Sequence, residues 1–260
     1  DSIFYIRNAE IGYRWSAKTP TSIWFHPVIS WLIGIMPNAT PANWRYYFIS
    51  IVSAPLALFC VYRYAQNTLE VKVNPALIPL AILIPGGLNM AVGNAESLSL
   101  LFNTLVILSV LEHYPIPVSL LFGMVAILVK PNALYMLAPL AVYGTYDLIN
   151  KNYKNALKSF VIALGILVAW GSWILYVGFM SGQIGAYWQA REVATVPLYA
   201  GFLTLIYRMA EAIFQGNIGE ILKYTTAFLV PLVDLWLLLL IPFRNEKHRL
   251  ASISSLLMLL

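Results

Sequence analysis

Charge is what this sequence has least of: Asp, Glu, Lys and Arg make up 10% of its 260 residues. Soluble domains carry about 25%, so the chain lacks the polar surface that would cover it in water. Its one cysteine, Cys60, sits inside an apolar run, which excludes both an intrachain disulfide and a Cys-based zinc site. There is no Gly-rich phosphate cradle, no HExxH and no GxSxG, so soluble nucleotide chemistry has no home here. Of the three histidines, His26 beside Pro27 lacks a Cys or carboxylate at ligand spacing, and no metal is expected. No internal repeat of the kind found in transporters built from inverted halves is visible.

What the chain does have is apolar length. Hydrophobic residues make up 60% and the mean hydropathy is +0.74, which predicts an integral, multi-pass membrane protein. The 8 Trp and 16 Tyr fit rings gathered at bilayer interfaces. The net charge of +5 comes from basic residues scattered between apolar runs, the pattern of membrane loops rather than of a nucleic-acid surface.

Apolar runs lie at 44–65, 76–93, 95–112, 116–130, 132–148, 157–180, 199–215, 224–243 and 250–260. They predict an all-α, polytopic bundle of about 8–10 helical segments. The expected organisation is one transmembrane domain over 1–260, with an outer loop at 1–43 carrying interfacial helices and a multi-span bundle from 44. Several runs are short and Pro-rich, which predicts tilted, broken or shielded helices. The start at Asp1 and the end within SSLLMLL read as a fragment cut at both ends and lacking at least the first helix.

With 1–43 outside, the inner connections carry Arg63 and Lys72, then Lys151, Lys154 and Lys158, then Arg244, Lys247 and Arg249. This agrees with the positive-inside rule. The polar stretches DSIFYIRNAEIGY, GNAES, VKPN and SGQIGAYWQAREVATVP then share the outer face, and function is expected there.

Each stretch has two readings. Asp1 with Tyr5, Glu10 and Tyr13 is either an interfacial helix, with Phe4, Tyr5 and Ile11 toward lipid and Arg7, Asn8 and Glu10 toward water, or the frame for a general base. Glu96 is either a first-turn acid favoured by the helix dipole after an Asn94 cap or part of a site. Asn103, deeper in that helix, reads as an interhelical hydrogen-bonder. Lys130 either snorkels or holds a lipid phosphate where low dielectric strengthens the pair. Asp234, in an apolar run, reads as functional or as paired for folding.

Taken together, Asp1, Tyr5, Ala9-Glu10-Ile11-Gly12-Tyr13 and Trp24-Phe25-His26-Pro27 resemble the first outer loop of GT-C glycosyltransferases, in particular the GPI mannosyltransferase 2 (PIG-V-like) family and its prokaryotic relatives. Glu96-Ser97-Leu98 is similar to the Glu-Ser-Leu that starts a span there. Lys130-Pro131-Asn132 stands where relatives carry an Arg-containing turn, and Gly182 through Trp188 to Arg191 resembles a later outer loop. His26 and Ser30 depart from the Phe and Pro found in relatives.

The resemblance implies a GT-C-like membrane enzyme that moves a hexose, most often mannose, from a polyprenyl- or dolichyl-phosphate carrier to a lipid, glycan or protein acceptor, with inversion. Asp1 is then the base that deprotonates the acceptor. Tyr5, Glu10, Tyr13, His26, Glu96, Lys130, Asn132, Trp188 and Arg191 are the expected substrate-binding residues, with Lys130 or Arg191 facing the leaving phosphate. No cofactor beyond the donor is implied. The expected partners are the lipid-linked donor and membrane lipids, with room for an accessory membrane subunit and none for nucleic acid. The expected location is a prokaryotic plasma membrane or the endoplasmic reticulum membrane, the site facing outward or into the lumen. The competing class is a transporter or lipid-handling protein without chemistry, hinted at by Pro85-Gly86-Gly87 and Asp234.

Overall fold

The computed structural model describes residues 2–13, 23, 25–37, 39–70, 72–76, 95–194, 201–221, 225, 233, 236, 239–240 and 242–257. Residues 77–93 of the span expected at 76–93, Asn94, most of the run at 224–243, and Asp1, Trp24, Pro85-Gly86-Gly87 and Asp234 lie outside the described residues. Among the described residues the fold is all-helical; the only extended pairing is the isolated bridge between Leu69 and Phe243.

The helices are α1 (Ser2–Ile11), α2 (Pro27–Ile35), α3 (Ala42–Thr68), α4 (Ala95–Leu111), α5 (Ile116–Val129), α6 (Leu137–Ile149), α7 (Tyr153–Ser181), α8 (Ala186–Ala194), α9 (Gly201–Phe214) and α10 (Glu246–Leu257). A 3-10 segment, Pro131–Met136, links α5 to α6. Proline sets several starts: Pro27 opens α2 and Pro131 opens the 3-10 turn, where a missing N–H costs nothing. Gly182, at φ 67, ends α7 in the left-handed conformation that glycine adopts most easily.

α3 and α7, of 27 and 29 residues, are long and apolar enough to cross a membrane. Only about a third of the apolar window of each is buried inside the molecule, unlike the core helix of a soluble protein. Phe48, Ile51, Leu56 and Phe59 of α3 and Leu164, Val168, Leu175 and Phe179 of α7 are exposed. α4 and α5 are apolar but have 17 and 14 residues, short of the ~20 that a full crossing takes.

Contacts at their ends fix the helix directions. Ser53 meets Ser97 at 2.8 Å and Asn67 meets Glu112 at 2.9 Å, so α3 and α4 run parallel. α5 returns, bringing Lys130 to Glu96 at the start of α4, and α6 and α7 continue the alternation. One end of the molecule therefore collects α1, α2, Glu96 and Lys130. The other collects Arg63, Lys158, Arg244 and Lys247, the grouping of basic residues expected from the sequence.

Candidate functional site

The candidate site lies where α1, α2, α3, α4 and the end of α5 meet. α1 contradicts the interfacial arrangement expected of it: Tyr5 and Asn8 are 3% and 4% exposed, and Phe4 stacks on Phe25. The reason is tertiary. α1 packs on α2 and α3, so the face carrying Tyr5 and Asn8 is covered by protein, while Ile3, Arg7, Glu10 and Ile11 stay outside. Glu10 is thus turned out of the cluster.

Tyr5 lies between rings, parallel to Tyr46 at 6.1 Å and edge-on to Phe25 at 5.1 Å. Its phenol is held well above the usual range, chiefly by burial and then by Tyr46, Tyr13 and the Glu96 carboxylate. It stays a neutral donor. The Tyr46 hydroxyl is buried and has no hydrogen-bond partner among the described residues.

Glu96 and Lys130 form an ion pair through Oε1 and Nζ. The pair is half-buried, and the second oxygen, Oε2, is buried without a partner among the described residues. The Tyr46 and Glu96 oxygens, both without partners among the described residues, leave hydrogen-bonding capacity that a hydroxylated ligand would satisfy. One turn deeper, Ser99 donates to Asn132 at 2.8 Å, and Asn103 donates to Ser99 at 3.4 Å. Among the described residues Asn103 makes no interhelical bond: its amide nitrogen bonds within α4, and the link to Asn132 passes through Ser99 instead.

Asn103 and Asn132 also line a cavity of about 500 Å³ bounded by α3, α4, the 3-10 segment, α6 and α10. Leu100, Ile107, Met136, Pro139 and Ala251 make most of its wall apolar. Neither Glu96 nor Lys130 lines the cavity; Asn132, two residues after Lys130, and Leu100, four after Glu96, do.

His26 takes a structural position rather than a ligand-facing one. It is 1% exposed. Its Nδ1 faces the carbonyl of Ile127, which can only accept, so Nδ1 carries the proton and Nε2 accepts from the Tyr187 hydroxyl at 3.1 Å. The ring caps α5 three residues before Lys130 and ties it to α8. Arg45 does the same for α2, donating from Nη1 to the carbonyls of Ile33 at 2.7 Å and Met36 at 3.3 Å.

Tyr13 donates to Ser30 at 3.3 Å and meets Trp173 edge-on. Trp188, 41% exposed, packs against Trp170 and Tyr187, beside the His26 cap. The stretch from Gly182 to Arg191, expected as a loop, is mostly the helix α8, because Ala186, Tyr187 and Ala190 bury a face on Trp173 and Val177. Arg191 lies in α8 with its side chain outside the described residues, as is Asp1. Of the four residues expected around one cavity, Glu96 and Lys130 are brought together.

Tyr46 and Ser99 were not singled out from the sequence. Both sit in apolar runs, where a lone hydroxyl gives no signal until a neighbouring helix faces it. The described chain is an all-helical protein with two helices able to cross a membrane and a polar, aromatic cluster at one end. No protein-family model, curated protein or solved structure matches it.

Proposed function

We propose that the chain is a multi-pass membrane glycosyltransferase that moves a hexose, mannose in the first instance, from a polyprenyl- or dolichyl-phosphate donor to an acceptor hydroxyl on the outer or lumenal face. The observation that carries this reading is the Glu96–Lys130 pair together with an apolar cavity of about 500 Å³ whose wall includes Asn132, two residues after Lys130. A cation in the segment next to an apolar cavity suits a donor that is a phosphate on a hydrocarbon chain. Lys130 neutralises charge developing on the leaving phosphate, which lowers the barrier most in a low-dielectric site. Glu96 holds Lys130 in place, and its Oε2, without a partner among the described residues, offers with the Tyr46 hydroxyl partners for sugar hydroxyls.

In this reading Asp1 takes the acceptor proton as the anomeric carbon is attacked, and Arg191 is a second phosphate contact. Both roles rest on the family resemblance. The test is transfer from radiolabelled polyprenyl-phosphate mannose by the reconstituted protein. Asp1→Asn is expected to lower turnover by about a hundredfold to ten-thousandfold, because an amide cannot accept the proton. Lys130→Ala is expected to weaken use of the donor. Near-normal turnover by Asp1→Asn would overturn the assignment of the base.

The same cavity favours a second reading, a lipid-handling protein without chemistry. It predicts retention of the polyprenyl-phosphate lipid by the wild-type protein with no transfer of label at any pH.

A further inference from the structure

At the opposite end of the molecule is a second pocket, of about 340 Å³. One wall is the turn His113-Tyr114-Pro115-Ile116 between α4 and α5. The other is Lys154, Asn155 and Lys158 in the first two turns of α7.

Lys158 is 4% exposed. Its ammonium donates to the carbonyls of Ser109 and, at 2.5 Å, Tyr114, which satisfies two donors but supplies no counter-charge. Glu112, the acid of that turn, is engaged by Arg63 at 3.0 Å and Asn67 at 2.9 Å. Lys154 stands one turn before Lys158, exposed at the rim beside the exposed His113. Among the described residues neither lysine has a carboxylate partner. A buried charge without a counter-ion is costly.

Two lysines in the first turns of a helix also oppose its dipole, and the Asn152 side chain makes no cap. Local sequence and local electrostatics disagree here, and an anion in the pocket removes the disagreement. A further observation bears on the anion's source. Exposed apolar side chains run from this end along both helices, Val118 and Leu121 on α5 and Leu157 and Leu164 on α7. They offer a surface for acyl chains below a charged headgroup.

The geometry points to a phosphate-binding site, formed by His113, Lys154 and Lys158, that holds the headgroup phosphate of an anionic phospholipid. It lies away from the Glu96–Lys130 cluster and does not depend on glycosyl transfer.

The test is thermal unfolding of the whole protein in neutral detergent, followed by tryptophan fluorescence, with added phosphatidylglycerol, phosphatidylcholine or inorganic phosphate. Phosphatidylglycerol is expected to raise the midpoint saturably and phosphatidylcholine to leave it. Lys154→Gln should lower the apparent affinity for phosphatidylglycerol roughly fivefold, and Lys154→Gln with His113→Gln further. Lys72→Gln, an exposed cation outside the pocket, should leave it within about twofold. If inorganic phosphate alone gives the shift and Lys154→Gln removes it, the site stands with soluble phosphate as its ligand. An equal shift with phosphatidylcholine, no shift with either phosphate, a response that survives Lys154→Gln, or one weakened as much by Lys72→Gln would overturn the proposal.

Discussion

His26 shows how one buried side chain couples folding stability to pH. Burial holds its imidazole down at about 4, against an ordinary 6.5, and the Ile127 carbonyl offsets only part of that. Between these values the unfolded chain binds a proton that the folded chain refuses, so stability falls as pH drops from about 6.5 to about 4 and levels off below. At ~1.4 kcal/mol per unit the loss over that window is about 3 kcal/mol. His26→Gln is expected to be less stable at pH 7.5, since it loses the cap on α5, yet to lose less on going to pH 4.5. Unfolding midpoints of both proteins at the two pH values check this. An equal drop in each would show that His26 does not set the slope.

At the scale of elements, small residues decide how closely helices approach. α5 and α7 pack through Gly123 and Gly165: a Cβ on Gly165 would lie 2.1 Å from Leu120 Cδ1, and one on Gly123 3.0 Å from Ile162 Cγ2. In an apolar solvent such close packing replaces the hydrophobic effect as the force between helices. Gly123→Leu should therefore force α5 from α7 and cost about 1–3 kcal/mol. Gly171, also in α7, has open space around its Cβ position. Gly171→Ala should stabilise by about 0.5–1 kcal/mol, because alanine loses less backbone entropy in a helix. The two unfolding midpoints, measured in one detergent, should move in opposite directions.

At the scale of the whole molecule, the two ends are chemically distinct and α10 closes the basic one. Lys247 donates to both oxygens of Asp147 at 2.7 Å, lies over the rings of Tyr143 and Tyr146, and has a side chain only 16% exposed. His248 and Ser252 add bonds to Tyr143 and Tyr64 at 3.0 Å. Breaking one partner of a buried pair costs about 3–5 kcal/mol, whereas replacing both costs much less. Asp147→Asn alone should thus destabilise more than Asp147→Asn with Lys247→Met. If the double variant unfolds earlier than the single one, the pair does not hold α10 in this way. The half-exposed Arg63–Glu112 pair should contribute under about 1 kcal/mol.

By itself the sequence determined the all-helical class, the two long apolar helices and the gathering of basic residues at one end, because apolar runs and flanking charge are properties of the chain read locally. It also marked Glu96 and Lys130, since charges bordering apolar runs are conspicuous. Only the tertiary structure decided what those residues touch. It paired Lys130 with Glu96, turned Tyr5 and Asn8 inward and Glu10 outward, made His26 a cap on α5, and brought Tyr46 and Ser99 into the cluster from runs that gave no signal. The physical reason is that a side chain's surroundings here come from helices 30 to 160 residues away in sequence. Periodicity fixes that a face exists, but the neighbour that covers it is chosen by packing.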